Sequence, residues 1–161
     1  MNIIIMEEIG VMCGGWQMNN PVPYFGSNGE GKFIIETPDY LKRKINREFG
    51  IYYDPCPVNP KICGLSNPWP LDQVIYVNPP YTRGHIAKWV KKCFDEFQRG
   101  CKIVLLIPAY TDTGYFHDYI YQVDPCIEIR FLKGRVKFKG YDKSASFPSM
   151  LVIFNGWREF V

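Results

Sequence analysis

The 161-residue sequence predicts an α/β protein built on one open, mostly parallel sheet, with helices on both faces and an antiparallel C-terminal edge. Three observations carry that prediction. The runs at residues 74–77 and 103–107 are apolar without alternation, as strands buried on both faces of a sheet must be. Segments with apolar residues every three or four positions alternate with those runs, the pattern of helices that connect parallel strands. The last third holds apolar runs with no long helix between them, which suits antiparallel pairing.

Bulk properties narrow the class. Hydrophobic residues make up 47% and charged residues 22%, which excludes a disordered chain. The length predicts a single domain with a proper core. A net charge of +3 permits a nucleic-acid partner without requiring one. No segment reaches transmembrane length, and the apolar opening lacks the basic flank of a signal peptide, so no membrane association and an intracellular location are expected. The six cysteines form no CxxC pair, and His85 and His117 stand outside metal-ligand spacing. Reduced cysteines and no metal are the expectation.

Residues 1–12 read as a short strand or helix. From 14 to 31 the chain carries five glycines and two prolines, a loop by composition and either a lid or a plain extension. The expected organisation is therefore an N-terminal extension over residues 1–32 and one domain over 33–161. The first clear helix opens at Thr37-Pro38, with Thr37 as N-cap, Pro38 at the first helical position and Asp39 in the first turn. Leu41, Ile45 and Phe49 form its apolar stripe and Gly50 its stop. Residues 51–53 are a strand ending in Asp54-Pro55-Cys56-Pro57. A carboxylate at that tip suits either a cofactor ammonium or hydroxyl, or a turn cap. A connector containing Asn59 and Trp69 leads to the strand at 74–77. After Thr82-Arg83-Gly84 a second helix buries Ile86, Trp89, Val90, Cys93, Phe94 and Phe97, and Gly100 ends it. Residues 102–107 form a central strand stopped by Pro108. Thr111-Asp112-Thr113 caps a third helix, residues 127–132 and 135–138 read as two strands, and 150–154 as the last. Trp157 and Phe160 close the chain.

Asn78-Pro79-Pro80-Tyr81 stands at the C-terminal end of the strand at 74–77, the edge where open α/β sheets bind ligands. Two prolines end the strand abruptly and donate no backbone N–H. The Asn78 side-chain oxygen and the Pro79 carbonyl can each accept one N–H of a planar amine. Two acceptors favour a pyramidal nitrogen with a localised lone pair over the flat ground state, which is the differential binding that methylation of a conjugated amine needs. Tyr81 is suited to stack on the base and fix its plane. The same four residues also fit a plain Pro-rich turn.

In this order the pieces resemble the small phage-type DNA N6-adenine methyltransferases, from about residue 33 to residue 154. Thr37-Pro38 matches the family's helix opening and Asp54-Pro55-Cys56-Pro57 its first strand end. Asn59 matches the connector's Asn, and Asn78–Tyr81 with the following Trp89 matches the catalytic motif. Gly134-Arg135-Val136-Lys137-Phe138 matches a hairpin, and Pro148-Ser149 precedes the last strand. The resemblance implies a reduced Rossmann-like class I methyltransferase fold and S-adenosylmethionine as cofactor. It implies DNA as partner, with methyl transfer to N6 of a flipped-out or unpaired adenine. Asn78, Pro79, Pro80 and Tyr81 would be catalytic. Thr37, Pro38, Asp54, Cys56 and Asn59 would line the cofactor pocket, with Asp54 meeting the methionine ammonium. The location implied is the cytoplasm of a bacterial or phage-infected cell. Other planar amines, guanine N2 of RNA or the amide of protein glutamine, are the alternative substrates, and a catalytically dead nucleic-acid-binding relative is the alternative of another class. The sequence departs from larger methyltransferases in lacking a Gly-rich cofactor loop. It also has no acidic residue between Asp54 and Asp72 to hold the cofactor ribose.

The segment from Lys133 to Lys143 interleaves five cations with Phe138 and Tyr141. Lys133, Arg135, Lys137 and Lys139, with Arg83 just after the catalytic motif, are the candidates for DNA contact; a solvated hairpin is the other reading. In a chain of this length no separate recognition domain is expected. A loose recognition sequence, or a homodimer that widens the footprint, follows from that.

Overall fold

The computed structural model describes residues 35–57, 63–82 and 84–156. The expectations for residues 1–12, for the loop at 14–31, and for Asn59, Arg83, Trp157 and Phe160 lie outside them. Helix α1 (Asp39–Phe49) buries Leu41 and Ile45 and ends at Gly50, whose φ of 63° is the left-handed conformation that favours glycine. Pro38, not Thr37, is the N-cap, and it makes no side-chain cap bond; the carbonyl of Pro38 instead accepts from the amides of Leu41 and Lys42. The Thr37 hydroxyl is drawn away from the helix end by partners in the sheet, described below.

Strands β1 (Ile51–Tyr53), β2 (Val74–Val77) and β3 (Lys102–Pro108) pair in parallel. Strand β5 (Ser149–Asn155) pairs antiparallel with β3 on one side and with β4 (Ile127–Phe131) on the other, giving the order β1-β2-β3-β5-β4. Four strands therefore point one way and β5 alone is reversed. The sheet is a parallel and antiparallel mix, and its antiparallel part reaches the middle of the sheet, where an edge was expected. Burial explains the placement. Residues 149–154 of β5 are all buried and suit the centre, whereas β4 carries exposed Glu128 and half-exposed Arg130 and suits an edge.

Helix α2 (His85–Gln98) packs on α3 (Gly114–Tyr119), β3 and β5. Its inward face includes Glu96, buried among apolar neighbours. The carboxylate is satisfied by Lys92, Arg99 and the backbone N–H of Trp69, which fastens the connector to the helix. The connector is held a second way. Trp69 Nε1 donates to the Gly64 carbonyl at 2.8 Å, and a Cβ on Gly64 would fall 2.2 Å from the Pro55 carbonyl oxygen. Only glycine allows that approach.

The strand expected at 135–138 is absent. Val136 and Phe138 point inward and Arg135 and Lys137 outward, so the two-residue alternation is real. Among the described residues no strand pairs with the segment, however, and its backbone contacts there are Ala145 N–H to Val136 O, Tyr141 N–H to Phe138 O and, just beyond it, an isolated bridge between Glu36 and Lys139. Cys56, Cys93, Cys101 and Cys126 are free, but Cys63 is disulfide-bonded, which corrects the expectation that all six are reduced. Sequence spacing does not reveal which loops bring sulfurs together. Among the described residues no helix is long and apolar enough to cross a membrane, and no group of three or more His, Cys, Asp or Glu is placed to hold a metal.

Candidate active site

The C-terminal ends of β1, β2 and β3 share one edge of the sheet because the three strands are parallel. Asp54 leaves β1 there, Asn78 leaves β2, and the chain at 35–38 crosses the same edge on its way into α1. The half-buried Asn78 amide is fixed at both ends. Its Nδ2 donates to the Ile35 carbonyl at 2.5 Å and to Thr37 Oγ1 at 3.1 Å. The Ile35 oxygen can only accept, so the amide has one orientation. Its Oδ1 accepts from the Tyr81 hydroxyl at 2.7 Å and keeps a second lone pair.

The Tyr81 hydroxyl also lies 3.0 Å from the Leu106 carbonyl, on the neighbouring strand. Its ring is buried and meets the edges of Phe138 at 5.9 Å and Phe147 at 5.7 Å between centroids. Burial first, with nearby Tyr76 adding to it, pushes the Tyr81 phenol well above its usual range. It stays a neutral donor toward Asn78. It turns its hydroxyl to the amide, and the ring has little free face. Tyr110 lies beyond Phe147 at 6.0 Å and is only half-buried.

Thr37 is 5% exposed, and its hydroxyl lies 2.6 Å from that of Tyr76, two residues before Asn78 on β2. Residues i and i+2 of a strand share a face, which is why Tyr76 and Asn78 both reach Thr37. Burial also raises the Tyr76 phenol.

Asp54 accepts from the Cys56 backbone N–H at 2.8 Å. Asp54 is itself exposed, yet the atoms crowded around its carboxyl desolvate it enough to hold it above its usual range, against the opposing pull of that bond and of Lys42. Burial, helped by the neighbouring Asp54 charge, pushes the Cys56 thiol up to about 12, so it stays protonated. Asp54 and Tyr76 line a cavity of about 280 Å³ together with Lys42, Arg43, Ile45, Asn46 and Ile51. An acid and two bases thus face one space.

The basic segment is tied to this site from outside. Phe138 touches Tyr81, while Lys133, Arg135 and Lys137 are exposed. Lys139 is different: its Nζ lies 2.6 Å from Asp39 and 3.0 Å from Glu36, and its backbone N–H donates to the Glu36 carbonyl. The pairing raises the Lys139 pKa and lowers that of Asp39.

Of the residues singled out by sequence, the structure joins Thr37, Asn78 and Tyr81 by hydrogen bonds and sets Asp54 beside Cys56. Sequence reasoning missed the Ile35 carbonyl, Tyr76, Phe147 and the Leu106 carbonyl. Only Tyr76 left a signal, a hydroxyl inside an otherwise apolar strand. The DNA N-6-adenine-methyltransferase (Dam) family matches the chain over residues 30–160. No curated protein matches it.

Proposed function

The chain belongs to the DNA N-6-adenine-methyltransferase (Dam) family, and from that premise we propose that it transfers a methyl group from S-adenosylmethionine to N6 of adenine in DNA. The observation that carries the reaction is the Asn78 amide, held by its nitrogen so that its oxygen keeps one lone pair for a substrate N–H. The sheet supports a reduced Rossmann-like methyltransferase fold: four strands share one direction and the reversed β5 lies between β3 and β4.

The residues present fit the cofactor. Its amino-acid end carries an ammonium and a carboxylate, and the cavity beside Tyr76 offers Asp54 for the first and Lys42 with Arg43 for the second. Pro38 and Cys56 are the further candidates for that pocket, and Asn59 is a candidate on its sequence match alone. The cofactor supplies an electrophilic methyl on a cationic sulfonium. Asn78 Oδ1 accepts one N–H of the adenine amine and the Pro79 carbonyl accepts the other, which localises the nitrogen lone pair for attack. Pro80 holds the turn, and Tyr81 holds the amide oxygen. The nitrogen gains a bond to carbon as the carbon–sulfur bond breaks, and its surplus proton then leaves to water. Adenine inside a duplex hides N6 in a base pair, so the base is extruded or taken from a single strand. Lys133, Arg135 and Lys137, with Arg83, contact DNA phosphates. The setting is the cytoplasm, where DNA and cofactor meet, and residues 33–161 act as one domain.

The test is methyl transfer from labelled cofactor to DNA, RNA and protein in parallel, with Asn78→Ala as control. Label recovered as N6-methyladenine in DNA and lost in the variant is expected. Label only in RNA or protein, or cofactor binding without transfer to any substrate, overturns the reading.

A further inference from the structure

An Asn side chain ends in two groups of nearly equal size, and the torsion that exchanges them is soft. If the Asn78 amide turned over, it would offer N–H groups to an amine that already carries only donors, and the acceptor that the reaction needs would be gone. Something must therefore hold the amide in one sense. The Ile35 carbonyl does part of this from the backbone, and Tyr81 marks the oxygen end. The remaining bond comes from Thr37 Oγ1, at 3.1 Å from Nδ2.

We propose that Thr37 is a positioning residue that works with the Ile35 carbonyl: the carbonyl fixes which way round the Asn78 amide sits, and Thr37 holds it at the reacting position, with Tyr76 holding Thr37 in turn. The proposal rests on the methyltransferase reading above. Thr37 accepts from Asn78, so its own proton is free to go to the Tyr76 oxygen 2.6 Å away. Both bonds run toward β2. Thr37 is 5% exposed, so water cannot readily take over from the hydroxyl if it is removed. The role differs from that of a cofactor contact: Thr37 acts on the reaction through Asn78 and touches no reacting atom.

Thr37→Val keeps the shape and removes the hydroxyl. Thr37→Ser keeps the hydroxyl and removes a methyl. Each is compared with the natural protein in three measurements: cofactor affinity by calorimetry, single-turnover methyl transfer with cofactor and DNA saturating, and the ¹H–¹⁵N resonances of the Asn78 side-chain amide, identified by their loss in Asn78→Ala. The expected result for Thr37→Val is cofactor affinity within about twofold of the natural protein and a rate lower by about tenfold, the size of one transition-state interaction. The Asn78 amide pair moves. Thr37→Ser restores most of the rate and the amide position, and Tyr76→Phe slows transfer less than Thr37→Val does. A weakened cofactor affinity with an unchanged saturated rate would make Thr37 a cofactor contact and overturn the proposal. So would an amide pair that does not move. A natural protein that transfers no methyl to DNA would instead overturn the proposed function, while the amide resonances would still decide the role of Thr37.

Discussion

The Tyr81 hydroxyl lies 2.7 Å from Asn78 Oδ1, three residues back along the chain, so the catalytic motif is closed on itself by a hydrogen bond. Tyr81→Phe removes that donor and leaves the rest of the ring in place. Methyl transfer is expected to slow by about tenfold at saturation. Unfolding in urea should show a loss of only about 1 kcal/mol, since one hydrogen bond is missing from an otherwise intact cluster. An unchanged rate would show that the amide oxygen needs no such support.

Asn78→Asp is a sharper test of the polarity of the same site. It sets an oxygen against the Ile35 carbonyl, which is 2.5 Å from the present nitrogen. A carboxylate there meets a lone pair, whereas the protonated acid can donate to it. The acid form is thus favoured and its pKa raised. The variant should be inactive at neutral pH and regain activity as the pH falls, the reverse of an ordinary carboxylate requirement. A pH–rate profile checks the sign.

Asp54 gives a second pH dependence. Its carboxyl is raised by desolvation, so the free protein holds the proton at a pH where an ordinary aspartate has lost it. A bound ammonium favours the ionised form. Cofactor affinity should therefore be full at neutral pH and fall as the pH drops through the raised pKa, with proton release on binding in that window. Calorimetry of Asp54→Asn should show weaker binding that no longer varies over the same range.

The cations of the basic segment divide by their partners. Arg135 and Lys137 are exposed, and each is expected to reduce the salt slope of DNA binding by about one when changed to alanine. Lys139 is occupied by Glu36 and Asp39, so Lys139→Met should leave that slope nearly unchanged. Equal effects at all three positions would contradict the division.

Gly64→Ala tests the connector. The added methyl would meet the Pro55 carbonyl oxygen at 2.2 Å, a backbone atom with no flexible side chain to give way. A loss of about 1–3 kcal/mol in denaturant unfolding is expected. The displacement should reach Asp54, next to Pro55, and weaken cofactor binding as well.

Local signals account for what was legible in advance. Leu41, Ile45 and Gly50 announce α1, and the apolar runs of β2 and β3 announce buried strands, because burial pattern and helix stops act within a few residues. The neighbours of β5 were not legible, since an apolar run does not say which strands flank it. Residues 135–138 alternate like a strand, but a strand also needs a partner. Thr37 reads as a cap beside Pro38, yet its partners are Tyr76 and Asn78, 39 and 41 residues away. Tyr81 reads as an open ring until Phe138 and Phe147 cover it. In each case the decisive partner is distant in sequence.

The position of β5 has a consequence for synthesis. Strand β4 leaves the ribosome before β5, and its ladder partner is β5. Until residues 149–155 emerge, β4 and β3 have an unfilled gap between them, and the backbone edges of both that pair with β5 stay open to water. A nascent chain stalled before Ser149 should accordingly be cut readily by protease and bound by holdase chaperones, while one extended past Asn155 closes the sheet and escapes both.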